Sequence, residues 1–139
     1  MTPRFELFDH TADVGVRVWA PALPALVAPA TEGLYTVIGH IATTGQPAPR
    51  TIEVAGDDPA VLLRDYLAEV LLLFEQAHRR LMHLEARAFT AHELVVTGAA
   101  TPIDAAQSAF EREVKAVTYH ELAIRRIADG WEATYILDI

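Results

Sequence analysis

The chain reads as an α+β protein: a two-layer single domain in which a mixed β-sheet packs against two main helices. Three observations predict this. Near both ends, apolar residues alternate with other types at a period of two, in Val14, Val16 and Val18 and again in Trp131, Ala133, Tyr135 and Leu137. Two longer stretches, Leu23–Ile38 and Leu62–Phe74, carry their apolar residues at helical spacing instead. The order is strand, helix, strand, helix and then several strands, with no internal repeat and no linker long enough to divide it, so residues 1–139 are expected to form one domain.

Taken in order, Phe5–Phe8 is extended and leads into Asp9-His10-Thr11-Ala12-Asp13. His10-Thr11-Ala12 is a tight connection, and Asp13 stands at the entrance to a strand over Val14–Trp19. Pro21 and Pro24 mark a turn into the first helix. Its apolar residues are Leu23, Leu26, Val27, Ala30, Leu34, Val37 and Ile38, and Pro29 is expected to kink or divide it. Gly39 suits the helix end, and Thr43–Arg50, with Gly45, Pro47 and Pro49, reads as a loop. Thr51–Ala55 is a strand, and Gly56-Asp57-Asp58-Pro59 supplies a turn, an acidic N-cap and a first-turn proline. The second helix is the clearest element. Leu62, Leu63, Tyr66, Leu67, Val70, Leu71 and Phe74 form a wide apolar stripe, with Arg64, Asp65, Glu69, Glu75 and Gln76 turned away. His78, Arg79 and Arg80 suit its C-terminus, where cations meet the negative end of the dipole.

Leu81–Ala91 and Glu93–Gly98 read as strands, with Leu84, Ala86 and Ala88 on one face of the first and Glu85, Arg87 and Phe89 on the other. Gly98–Gln107 is expected as a loop or short helical piece. After Lys115–His120, Leu122, Ile124 and Ile127 belong to a strand, and Asp129-Gly130 is a two-residue hairpin signal. In the final strand, Trp131, Ala133, Tyr135 and Leu137 share one face and Glu132, Thr134, Ile136 and Asp138 the other.

Composition narrows the function. With 52% hydrophobic and 22% charged residues, the chain is ordinary for a folded protein, and no apolar run approaches the length of a membrane span. The N-terminus leads straight into patterned sequence, so no signal peptide is expected. There is no cysteine, which excludes disulfide scaffolds, zinc–thiolate sites and cysteine nucleophiles. A net charge of −8 opposes unaided binding to nucleic-acid phosphates, so an RNA-related role would run through a protein partner.

Two constellations carry chemistry. Asp13 opens one strand, and Asp138 with Ile139 closes another. If those ends meet, two Asp carboxylates and the Ile139 carboxylate supply hard oxygen ligands for Ca²⁺ or Mg²⁺. His10 is the one obvious nitrogen ligand nearby, which disfavours zinc. The same acidic residues would also serve as ordinary turn and N-cap groups. The second is Lys115-Ala116-Val117-Thr118-Tyr119-His120, whose Lys, Thr, Tyr and His are residue types that serve catalysis, although their alternation is first of all what an ordinary sheet edge shows. The chain carries no Gly-rich phosphate loop, HExxH or GxSxG pattern. His40, His78, His83 and His92 are scattered and read as surface or loop residues.

"DHTAD" near the start, "VKAVTYHEL" in the last third and the final "LDI", in this order and spacing, resemble the archease family across essentially the whole chain. The resemblance implies a small cytoplasmic protein that does no chemistry of its own. It would activate the RtcB-type RNA ligase of tRNA splicing, promoting ligase guanylylation and multiple turnover. It implies a divalent cation, Ca²⁺ before Mg²⁺ or Mn²⁺, on Asp13, Asp138 and Ile139. It implies a functional surface that includes Asp9, His10, Lys115, Thr118, Tyr119 and His120. Neither direct nucleic-acid binding nor a membrane is implied. The chain departs from the family pattern at Tyr66 and Ala68, where Trp and Asn are frequent, and at Ser108, where a His often follows Asp104 by four residues. Two other readings compete: a chaperone-like modulator of a tRNA methyltransferase, and an autonomous metal-dependent hydrolase using Asp13 and Asp138.

Overall fold

Val14, Val16 and Val18 bury one face of a strand, as their spacing predicts, and the β structure is built outward from it. A computed structural model describes all residues but Thr11, and of His10 it describes the backbone alone. In chain order the elements are β1 (Arg4–His10), β2 (Asp13–Ala20), a 3-10 turn at Leu23–Leu26, α1 (Val27–Ile38), β3 (Gly39–His40), β4 (Ala48–Ala55), α2 (Pro59–Ala77), β5 (Arg79–Phe89), β6 (Glu93–Pro102), a 3-10 turn at Ala105–Gln107, β7 (Ala109–Phe110), β8 (Ala116–Val117), β9 (Ala123–Ile127) and β10 (Gly130–Asp138). The fold class is the one expected: α+β, with β layers packed against two main helices.

The strand pairs among the described residues are antiparallel. The larger sheet runs β1-β2-β10-β8, with β9 pairing the other end of β10. A second sheet runs β4-β6-β5, and β3 and β7 form a short ribbon. One core cluster joins these parts, drawing on β2, both helices, β4, β5, β6 and β10. Three buried tyrosines hold the layers in register. The Tyr135 hydroxyl donates to the Ala30 carbonyl at 2.6 Å and ties β10 to α1. Thr31 Oγ1 and the Tyr66 hydroxyl lie 2.8 Å apart and tie α1 to α2. The Tyr35 hydroxyl accepts from the Leu81 amide at 2.8 Å and ties α1 to β5. Each bond satisfies a polar group that would otherwise be buried without a partner.

Several boundaries differ from the sequence expectation, each for a physical reason. Pro29 does divide the first helical stretch: Leu23–Leu26 winds as a 3-10 turn, and Pro29 falls in the first turn of α1, where its missing N–H costs no helical hydrogen bond. The second helix begins as expected, with Asp58 accepting from the Ala60 amide. It stops one residue before the expected basic cluster: His78 is a left-handed cap with φ 54°, and Arg79 and Arg80 already belong to β5. Arg80 therefore serves tertiary contacts rather than the helix dipole, bonding the Ile41 carbonyl at 2.9 Å and Glu32 at 3.0 Å beneath the Tyr35 ring. In β5, Phe89 is buried although the alternation placed it with Glu85 and Arg87. A register shift between Ala86 and Ala88 inserts Arg87 as an extra residue and reverses the parity. β4 begins at Ala48 inside the expected loop, and β6 continues to Pro102 before the 3-10 turn. The last hairpin turns on Ala128-Asp129, because Ile127 stands opposite Gly130. Gly130 is needed for another reason: a methyl there would collide with the Ala20 carbonyl oxygen.

Candidate functional site

Asp13 and Asp138 stand directly opposite each other in the β2–β10 ladder. Opposed residues of an antiparallel pair lie about 4.5–5.5 Å apart at Cα and share a face of the sheet. That face is the one away from the Val14–Val16–Val18 core. The register continues through the row, with His10 opposite Asp13 on one side and Ala116 opposite Asp138 on the other. Ile139 follows at once, half-buried, its side chain packed against the core cluster, so the main chain carrying its oxygens is anchored.

One residue row further along, the outer face closes. The Phe8 ring lies over Gly15, where any side chain would displace it, and Ile136, the next residue in that row, is fully buried. Arg17 stacks on Phe8 at 4.6 Å. The acid pair therefore sits at one end of the sheet, beyond an apolar plug.

The Lys115–His120 segment borders this end. The Lys115 amide donates to the Asp138 carbonyl at 2.8 Å, and the Thr118 amide and hydroxyl both donate to the Ile136 carbonyl at 3.0 Å. The His120 amide donates to Thr118 Oγ1 at 3.2 Å. Lys115 and His120 are exposed, and Tyr119 is 62% exposed. From α2, Arg64 reaches across to this segment: Nε donates to the Val117 carbonyl at 2.9 Å, and the guanidinium lies 4.4 Å from the centre of the Tyr119 ring. The sequence pattern only turns Arg64 away from the apolar stripe. Nothing in the spacing of a helix signals which distant strand its polar face will meet.

Other expected residues fall elsewhere. Asp9 stands opposite Val14, on the core side of β1 rather than the Asp13 side, and is exposed at the rim. Thr11 and the His10 side chain lie outside the described residues. Ser108 closes a local turn, its hydroxyl donating to the Asp104 carbonyl at 2.7 Å and accepting from the Ala42 amide at 2.9 Å. Tyr66 is core, fully buried and bonded to Thr31. His40, His78, His83 and His92 are exposed, although His40 and His83 lie in strands.

The chemistry of the acid pair suits a hard cation. Like charges directly opposite on neighbouring strands repel unless something neutralises them. Among the described residues, no group of three or more His, Asp or Glu side chains is placed to hold a metal. The donors here are two carboxylates and main-chain oxygens, a set that fits Ca²⁺ or Mg²⁺ with waters completing the shell.

The fold and site define a small α+β protein whose paired acidic strand ends sit beside an exposed Lys-Thr-Tyr-His segment. The Archease protein family model matches residues 5–139, and the chain belongs to that family. Protein archease of Methanopyrus kandleri is 32% identical over 138 residues, which covers 97% of this chain and 99% of that one. Protein archease of Pyrococcus abyssi is 28% identical over 140 residues, with 98% and 99% covered. Among solved structures, protein 1598 of Methanobacterium thermoautotrophicum superposes with a TM-score of 0.71 at 25% identity, covering 97% of this chain and 98% of that one. A Thermotoga maritima archease, described as a possible chaperone, shares the fold with a TM-score of 0.70 at 20% identity and coverage of 95% and 94%. No helix among the described residues is long and apolar enough to cross a membrane.

Proposed function

We propose that this chain is a non-catalytic activator of an RtcB-type RNA ligase in cytoplasmic tRNA splicing, promoting ligase guanylylation and multiple turnover. In this reading Asp13, Asp138 and an oxygen of Ile139 hold a divalent cation, Ca²⁺ before Mg²⁺ or Mn²⁺. The cation would neutralise the acid pair and brace the strand ends. Lys115, Thr118, Tyr119 and His120 would meet the ligase, with His10 and Asp9 at the margins of the same end. The observation that carries the reading is the Asp13–Asp138 register pair, with Lys115 bonded to the Asp138 main chain. Membership of the Archease family supports it.

The test is a ligase assay with this protein added at sub-stoichiometric amounts. Turnover of a cognate ligase should rise with added protein, and Lys115→Ala should lower the activation with little change in thermal midpoint. Turnover that stays flat across the titration rejects the reading. Intrinsic hydrolysis of RNA that disappears with Asp13→Ala would establish the hydrolase alternative instead. The description of the Thermotoga relative as a possible chaperone favours a chaperone-like role as the second reading, and the client we propose for that role is a tRNA methyltransferase. It predicts suppression of methyltransferase aggregation where ligase turnover is unmoved.

A further inference from the structure

We infer that Arg64 is a positioning residue, whose guanidinium pins the Lys115–His120 segment between α2 and the acidic strand ends. Its consequence for activity rests on the proposed function; its geometry does not. β8 is two residues long and, among the described residues, pairs only with β10, through Val117 opposite Leu137 and Ala116 opposite Asp138. So short an edge strand has little hydrogen bonding of its own to hold it. Its outward carbonyl, on buried Val117, faces α2 and needs a donor. Arg64 Nε supplies one at 2.9 Å.

The same guanidinium does two further things. Nη1 bonds Asp65 at 2.9 Å, and the planar face stacks at 4.4 Å from the Tyr119 ring centre. A guanidinium can donate in its plane and stack on its face at once; a lysine ammonium is a point charge with no planar face to stack, so it does both less well. Val117 and Tyr119 are thus gripped from one side chain, with Thr118 between them bonded to Ile136 and Lys115 bonded to Asp138. The Arg64 side chain is 21% exposed, while its helix neighbours Leu63, Tyr66 and Leu67 are fully buried and carry the core. Removing Arg64 should therefore release the segment without opening the core.

The experiment is amide hydrogen exchange by NMR on the metal-free protein and its Arg64→Ala and Arg64→Lys variants. In Arg64→Ala, exchange at Lys115 and Thr118 should quicken at least about tenfold, the scale set by losing a hydrogen bond to a charged group from a locally opening segment. Val16 and Val18 should exchange as before, and Arg64→Lys should fall between. Unchanged exchange at Lys115 and Thr118 overturns the inference, and so does a uniform rise across β2 and the segment, which would mark a general structural role. With a ligase that the wild-type protein activates, Arg64→Ala should lose activation and Arg64→Lys should recover part of it. Full activation by a loosened Arg64→Ala overturns the positioning role. A wild-type protein that activates no ligase ends the proposed function, while the exchange result still decides the role of Arg64.

Discussion

At the scale of single residues, the Asp13–Asp138 pair combines a repulsive cost with a candidate ligand set, and one substitution separates the two. Asp138→Asn removes one like charge from a directly opposed pair, so in metal-free buffer it should raise stability by a few tenths of a kcal/mol. In Ca²⁺ the order should reverse. Binding to the folded state alone stabilises by about 2.7 kcal/mol at a hundredfold excess over the dissociation constant, and the variant should lose most of that increment. Thermal midpoints with and without Ca²⁺ read both signs. A residue extension after Ile139 should blunt the Ca²⁺ response if an Ile139 oxygen is a ligand, whereas an N-terminal tag should not. Equal responses from N-tagged and C-tagged proteins exclude Ile139. The acidic ends were legible in the sequence because both lie at strand ends marked by clean alternation. Asp9 was not separable from Asp13 in the same way: four residues apart across a hairpin, they fall on opposite faces of the sheet, since His10 rather than Asp9 stands opposite Asp13.

At the scale of elements, close backbone approach decides what turn chemistry alone does not. Asp129-Gly130 reads as a turn, but the turn forms one residue earlier, at Ala128-Asp129, and the glycine is the first residue of β10, packed against the Ala20 main chain. Gly130→Ala should destabilise by about 1–3 kcal/mol, as overpacking does, because backbone on β2 must move to admit the methyl. Urea unfolding measures it, and a loss below a few tenths would show that β2 yields freely. Ala12 also shows an element's demand overriding a residue's preference. It adopts φ 61° in the β1–β2 connection, since a two-residue hairpin loop needs positive φ. The β5 bulge at Arg87 escaped sequence reading because its pattern of apolar and polar residues alternates smoothly through Ala88 and gives no sign of an inserted residue.

At the scale of the whole molecule, the tyrosine hydroxyls bind α1 to both sheets and to α2, and their burial leaves a signature in pH. Desolvation pushes the Tyr35 phenol up to about 12 from its ordinary 10, against the opposing effects of the Leu81 amide and Arg80. Burial raises Tyr66 and Tyr135 as well. The folded state thus holds protons that the unfolded chain releases near pH 10. The stabilisation is complete below that value and is lost as pH climbs from 10 toward 12, by roughly 1.4 kcal/mol per pH unit for each such tyrosine. Unfolding free energies from urea titrations between pH 8 and 11.5 should be level at first and then fall. Tyr35→Phe should be less stable throughout, because the buried Leu81 amide loses its acceptor, but its alkaline slope should be shallower. Parallel curves for the two proteins would show that Tyr35 does not carry the linkage.

By itself the sequence determined the class of fold, the elements with strong periodicity, the N-cap of α2 and the two acidic strand ends. These follow from local rules: side chains alternate along a strand, recur every three to four residues on a helix, and cap where a backbone amide lacks a partner. Only the tertiary structure decided that Asp13 and Asp138 share a row, that Asp9 is turned to the other face, and that Arg64 holds Val117 and Tyr119. Register between strands more than a hundred residues apart, and the partner a polar helix face will find, depend on how whole layers pack; no local pattern carries that information.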